Sequence, residues 1–470
     1  MKRRALLSTS GFLAAMAVAG CTDASDPTPT ATDATTDPAQ PPETATDGTP
    51  EPTTTDQTTT DQETVRPRSD NVVLDHEPTA GPRAENERLA ELVAGNAGFA
   101  LDLHRSLTDE STNVFTSPYS ASVALAMPYA GSGGTTREEM RETLGFPADP
   151  HAGYDTLREQ LAERATASGP GSDEAVEVLD LRLANALWGR EGMDFDAQFL
   201  GTLDEHYGAG LRRAAFAESP EAERQRINEW VADNTGDEIT ELLPRRAITS
   251  QTALVLANAI YFGANWDHQF DPERTTEGEV TALDGTTSSA KLMRQELTTN
   301  YVATPSVEAL ELPYSGGQVS MVFLAPREGD LPALEQSLTP ERLFGLFDQL
   351  QRSQGRLVLP RFEFRTKAQL SEQLSAMGMP SAFRVGADFS GMTPGDSGGL
   401  VLDEVYHEAF VSVDEEGTEA AASTASVVLT SMPPSFGEFR LDRPFLFCIR
   451  DRPTDAVLFL GRVGDAGRAQ

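Results

Sequence analysis

The run Thr252-Ala253-Leu254-Val255-Leu256-Ala257-Asn258-Ala259-Ile260-Tyr261-Phe262 constrains the fold of this chain more than any other segment. It is apolar at both parities. A strand with one wet face alternates apolar and polar residues, so a run like this needs cover on both faces, as a central strand has. The neighbouring patterns supply the rest of an α+β domain. Leu89, Leu92, Val93, Phe99, Ala100 and Leu103 recur at helical spacing from a globular start near Ala84. Thr135 and Thr136, three residues ahead of Glu138 and Glu139, have the spacing of a capping box opening a helix. Leu179, Leu181, Leu183, Ala186, Leu187 and Trp188 alternate as a strand does. Ile227, Trp230 and Val231, continued by Ile239, Leu242 and Leu243, mark an amphipathic helix. Further strands are expected at Val319–Leu324, Leu357–Phe364, Leu400–Val413 and Ala456–Val463. Helices dominate the first half and strands the second, which suits one α+β domain over residues 84–466 with a large mixed β-sheet.

The N-terminal segment is of another kind. Residues 1–21 open with Lys2-Arg3-Arg4, continue through an apolar stretch too short for an ordinary membrane span, and end Val18-Ala19-Gly20-Cys21. The end resembles a lipobox and Arg3-Arg4 a twin-arginine export signal, so a lipoprotein signal peptide is expected, with Cys21 the lipidated first residue of an exported, extracellular protein. The only membrane partner is then the lipid anchor, on the outer face of the cell membrane. A plain secretory peptide with a chance cysteine is the alternative. Residues 22–83 are Thr, Asp, Pro, Ala and Glu with few large apolar side chains, and are expected to be a disordered stalk. No Asn-X-Ser/Thr acceptor occurs, so any sugar would sit on threonine.

The 470 residues carry a formal charge of −36, of which −28 falls on residues 91–470. That argues against nucleic-acid binding and against an electrostatic grip on anionic membranes. Lysine is confined to Lys2, Lys291 and Lys367. An acidic, lysine-poor surface suits a halophile, in whose brine salt screens self-repulsion; a genome favouring arginine codons would give the same lysine count. The two cysteines offer no disulfide framework, and Cys448 in the apolar run Pro444–Ile449 reads as a buried thiol. Six scattered histidines show no metal-ligand spacing, and no cofactor is called for.

About fifty residues from the C-terminus stands Glu415-Glu416-Gly417-Thr418-Glu419-Ala420-Ala421-Ala422-Ser423-Thr424-Ala425. It is a glycine, a small hydroxyl residue and a run of alanines, with no proline or further glycine up to Met432. Such a segment can stand outside as a loop, yet its side chains also fit the interior of a sheet. This resembles the reactive-loop hinge of the serpins. The likeness extends through Asn113-Val114-Phe115-Thr116-Ser117-Pro118-Tyr119-Ser120, Ala130–Thr136, Ala184-Asn185-Ala186-Leu187-Trp188, Ile227–Val231, Leu256–Phe262 with Trp266 and Phe270-Asp271-Pro272, Ala387–Met392, and the terminal Asp442-Arg443-Pro444-Phe445 and Leu460-Gly461-Arg462-Val463.

The resemblance implies a serpin fold with an exposed reactive-centre loop from Thr418 to about residue 431, in a monomer with no catalytic residues. A serine protease cleaves the loop and is acylated, and the loop then inserts into the main sheet as an extra strand, trapping the enzyme. It further implies a hinge at Glu416, Gly417, Thr418, Glu419, Ala420, Ala421 and Ala422, and a polar shutter cluster of Ser117, Ser120, Asn258 and His407. Trp266 maps to the breach at the upper end of the sheet. The usual spacing from Gly417 places the scissile bond at Ser431–Met432, with Leu429 or Thr430 open if the register slips. With no basic residue between Thr418 and Glu438, the expected targets are extracellular subtilisin-, elastase- or chymotrypsin-like enzymes. A non-inhibitory serpin is the alternative. Gly395-Asp396-Ser397-Gly398-Gly399 also spells a chymotrypsin-like nucleophile motif, but no histidine stands in that family's setting, and a Gly-rich turn explains it more simply. The segment His151–Arg164 mixes Arg158 and Arg164 with Asp155, Glu159 and Glu163, a solvated helix face and no polyanion groove.

Overall fold

The computed structural model describes residues 73–84, 86–108, 113–168, 175–208, 211–327, 330–394, 400–418 and 433–470. Cys21, the stretch 22–72, the turn 395–399, Glu419, Ala420, Ala421, Ala422, Ser431 and Met432 lie outside them.

In chain order the strands are β1 (Val114–Thr116), β2 (Thr166–Ser168), β3 (Ala175–Glu177), β4 (Asp180–Arg190), β5 (Arg212–Ala214) and β6 (Leu254–Asn265). Next come β7 (Thr276–Thr281), β8 (Thr287–Ala303), β9 (Val307–Pro313), β10 (Val319–Pro326), β11 (Gln351–Pro360) and β12 (Phe362–Gln369). The last are β13 (Glu404–Val413), β14 (Gly417–Thr418), β15 (Ser435–Arg440), β16 (Phe445–Asp451) and β17 (Val457–Val463). They form a nine-stranded sheet, ordered β1-β17-β16-β10-β9-β8-β11-β15 with β7 on β8, a six-stranded sheet, ordered β12-β13-β6-β4-β5 with β14 on β6, and a two-stranded pair of β2 and β3. Antiparallel and parallel pairs mix in both large sheets, and helices cover them, which makes the fold α+β.

The reason for the doubly apolar run is now visible. On β6, Leu254, Leu256, Ile260, Phe262 and Ala264 enter the main core, whereas Val255, Ala257 and Ala259 face a second cluster. That cluster holds Trp188, Phe216, Ile227 and Val231, so the helix Pro220–Thr235 roofs the other face of the same sheet. Neither face of β6 is left to water.

The structure differs from the periodicity at several points. The helix stops at Thr235 because Gly236 and Asp237 both take left-handed backbone. Ile239, Leu242 and Leu243 pack into the cluster under it from an irregular segment instead. The helix Gly134–Thr143 has Gly133 as its cap with no side-chain bond, and Thr136 accepts from the Asp388 amide. The run 357–364 is two strands of two sheets, parted at Arg361, and β13 begins at Glu404, not Leu400. The packed body also exceeds 84–466 at both ends. Leu74 donates to the Ala303 carbonyl, the Glu77 carboxylate takes Ser306 and Arg342, and at the other end Ala469 is buried. These short segments carry too few apolar residues to show a period. Among the described residues no helix is long and apolar enough to cross a membrane.

Candidate functional site: a fork in the six-stranded sheet

β6 and β13 run parallel, paired from Val255↔Glu404 to Ile260↔Ala409. There the ladder between them ends. β13 keeps its other partner, β12, as far as Val413↔Phe362, and β6 keeps β4 as far as Gly263↔Asp180. The C-terminal ends of the two central strands therefore part, and β14 sits on β6 in the opening, with Gly417 opposite Asn265 and Thr418 opposite Ala264.

A tight turn delivers β14 to that place. The Asp414 carboxylate accepts from the amides of Glu416 (2.9 Å) and Gly417 (3.2 Å), and the Asp414 amide donates to the Gly417 carbonyl at 3.0 Å. Glycine is required at 417 by contact: a Cβ there would lie 2.3 Å from the Ala264 carbonyl oxygen. Thr418 is 2% exposed, its hydroxyl 3.0 Å from that of Tyr314. This corrects the expectation that the exposed loop begins at Thr418. Its hydroxyl and its backbone are both engaged by the sheet, so the residue is already inside.

Trp266 closes the upper end. It is buried, donates its indole N–H to the Asp414 carbonyl at 3.0 Å, and stacks on Tyr314 with centroids 4.6 Å apart. Its amide holds the Glu416 carbonyl at 3.0 Å, and Phe270 holds that of Glu415 at 2.8 Å. The Glu415 side chain turns inward to Arg361 and Thr275. Burial pushes its carboxyl up, but these hydrogen bonds outweigh burial and hold it below the usual range.

Below the fork lies a polar cluster that the structure brings together from four elements. Ser117 caps the helix Pro118–Ala130 by accepting from the Ser120 amide at 3.1 Å, and donates its own hydroxyl to the Leu458 carbonyl at 2.7 Å. The Ser117 amide donates to His407 Nε2 at 3.1 Å, which leaves the ring proton on Nδ1, facing the Asn258 side-chain oxygen. The Asn258 amide nitrogen donates to Ser120 Oγ at 2.7 Å and to Asn185 Oδ1. All of Ser117, Ser120, Asn258 and His407 are at most 1% exposed. Burial pushes the His407 imidazole down to about 4, so it is neutral. His407 and Asn258 face each other across the β6–β13 ladder, so their bond is a cross-link between the two strands that diverge above it.

Sequence reasoning missed Asn185, Tyr314, Asp414, Glu415 and Arg361. Asn185 had a signal, a polar residue in an apolar strand run, as Asn258 has. Arg361 and Glu415 had none, because charged residues in sequence default to solvent.

A two-sheet α+β body whose six-stranded sheet admits a short strand at one end of its central pair defines the class of fold. The comparisons assign the family. The serpin family model, described as "serine protease inhibitor", matches residues 94–466, and the chain belongs to the serpin family. It is 36% identical over 389 residues to the rat (Rattus norvegicus) protein named leukocyte elastase inhibitor A, covering 80% of this chain and 99% of that one. It is 34% identical over 377 residues to an "uncharacterized serpin-like protein" of Methanosarcina acetivorans, covering 79% and 86%. Among solved structures it matches the thermophilic serpin tengpin in its native state at 28% identity and a TM-score of 0.69, covering 83% of this chain and 97% of that one. Uncleaved ovalbumin matches at 27% identity and a TM-score of 0.69, covering 80% and 100%.

Proposed function

We propose that the protein inhibits an extracellular serine protease as a suicide substrate, its loop entering the fork between β6 and β13 after cleavage. The observation that carries this is β14, a started strand lying antiparallel to β6 in a gap whose walls no longer pair with each other. Extending its register sets Ala420 opposite Phe262, Ala422 opposite Ile260 and Thr424 opposite Asn258. Thr418 fixes which face turns inward, so the inward set is Thr418, Ala420, Ala422, Thr424, Ser426 and Val428, all small or β-branched. From Ala422 onward the strand must displace the β6–β13 ladder, and at Thr424 it must break the His407–Asn258 link. That cluster is then the latch, and the latch yields only to a strand bonded on both edges. Each added backbone hydrogen bond contributes a net ~1 kcal/mol, so about ten of them outweigh the few polar interactions that break.

The loop composition points to subtilisin-, elastase- or chymotrypsin-like targets cleaving at Ser431–Met432. Export, lipidation at Cys21 and a stalk that holds the body off the membrane belong to the same reading, supported by Val18–Cys21 and the Thr/Pro-rich stretch. The test is incubation with subtilisin and with chymotrypsin, read by denaturing gel and mass spectrometry. The expected result is a denaturant-resistant adduct with release of a peptide starting near Met432. The cleaved, adduct-free fraction should melt about 10–20 °C higher than the uncleaved protein. Cleavage by every enzyme with neither adduct nor higher melting temperature makes the protein a non-inhibitory serpin.

A further inference from the structure

A groove crosses β8, β11 and β15 on the nine-stranded sheet. It is built of three joined hollows of about 390, 620 and 230 Å3. The first begins at Trp266, Asp267 and His268, beside the hinge, and shares Leu297 and Thr298 with the second. The second shares Glu296, Arg356 and Glu438 with the third, which ends at Arg440. Gly355 and Gly437 line the middle hollow where the β11–β15 register shifts, and Gly355 lets Phe436 and the Gly437 carbonyl approach so closely that a Cβ there would lie 2.4 Å from the Phe436 ring.

Two observations give the groove a partner. The first is position. The chain leaves the hinge at Thr418, paired beside Trp266 at one end of the groove, and returns on β15 at Ser435 in its middle. Both described ends of the segment 419–432 are therefore anchored along this face. The second is charge. Residues 91–470 hold about two acidic residues for each basic one. The groove is lined by Arg274, Arg294, Arg352, Arg356, Arg440 and Arg452 with Asp267, Glu296 and Glu438; Arg274, Arg440 and Arg452 pair with Asp271, Asp442 and Glu311 at its margin, so the local balance is even where that of the body is acidic. Arg294 and Arg352 have no carboxylate within 4.0 Å among the described residues, and Arg356 meets Glu296 and Glu438 only at 3.4 and 3.7 Å. An acidic partner is repelled by the rest of the body and met by unneutralised guanidinium groups here.

We propose that this arginine groove is the docking surface for an acidic patch beside the target protease's active site, so that partner choice rests on the groove as well as on the loop. The inference rests on the inhibitory reading above. Contact pairs within the groove persist in salt better than long-range attraction does, so its effect survives where steering is screened.

The test uses the full chain with chymotrypsin and with chymotrypsin whose lysines are succinylated, the same active site carrying added negative charge. The association rate constant and the adduct formed per loop cleaved are measured for wild type, R352E, and the pair R294E/R352E. Arg352 is exposed, so its single variant tests charge without disturbing packing. The pair is expected to slow the succinylated enzyme about tenfold and R352E about threefold, with little change for the unmodified enzyme and unchanged adduct yield. Equal slowing of both enzymes, or slowing of neither, overturns the docking proposal. Failure of wild type to form adduct with either chymotrypsin, or with subtilisin run beside them, is read from the wild-type lanes alone, and removes the inhibitory reading and the docking role with it.

Discussion

His407 shows how one residue couples the latch to pH. Its folded pKa of about 4 lies below the ordinary 6.5, because full burial penalises the charged ring. The unfolded state therefore binds the extra proton first. The stability tied to neutral His407 is fully present above pH 6.5 and is lost as pH falls toward 4. Protonation also removes the Nε2 acceptor that holds the Ser117 amide. Between pH 7 and pH 5 the loss is about 2 kcal/mol. His104 and His151 are also depressed by burial and add losses of the same sign, so the informative quantity is a difference. Urea midpoints at the two pH values are expected to fall further for wild type than for His407→Gln. Equal falls would show that His407 takes no part in the pH dependence.

At the scale of elements, β14 and β6 decide whether the fork is primed. Thr418→Arg puts a long cation where a hydroxyl meets buried Tyr314, and the charge cannot stay there unpaired. The expected outcome is an undocked hinge on an intact body. Amide exchange at Ala264–Trp266 should rise, overall melting should change by a few degrees, and proteases should cleave the loop without adduct. Retained adduct would sink the insertion argument. This element was only half legible in advance. The sequence marks the hinge by its small residues, but it cannot say that Thr418 is already seated, because that depends on β6 and β13 parting above Ile260. The pairing of two strands 149 residues apart leaves no local signal. β6 was legible for the converse reason, since cover on both faces writes itself into every position. Where packing came from irregular chain, as at Ile239, Leu242 and Leu243, periodicity misled, since burial was right and conformation wrong. Ser117, Ser120 and His407 were legible only through family resemblance, whereas Asn258 and Asn185, which completes their network, each stand out as a polar residue in an apolar strand run.

At the scale of the whole molecule, charge sets the conditions under which the fork holds. Residues 91–470 carry −28 of the chain's −36, and a compact body so charged repels itself through its surface. Some ion pairs are shielded from that field. Glu311 joins Arg450 at 0–1% side-chain exposure, and Glu335 joins Arg462 in the core. These respond little to salt, whereas the exposed carboxylates respond fully. Added NaCl should therefore raise the melting temperature steeply up to about 0.5 M, where the screening length has shrunk to a few ångströms, and only gently beyond. The steep part separates screening from the general strengthening of apolar burial by salt, which keeps growing with concentration. A rise of about 5 °C or more by 0.5 M is expected in a calorimetric series, and it would fit a protein made for brine. A melting temperature flat to about 0.5 M would show that the acidic surface costs the fold nothing, and would leave the scarcity of lysine as a matter of codon usage.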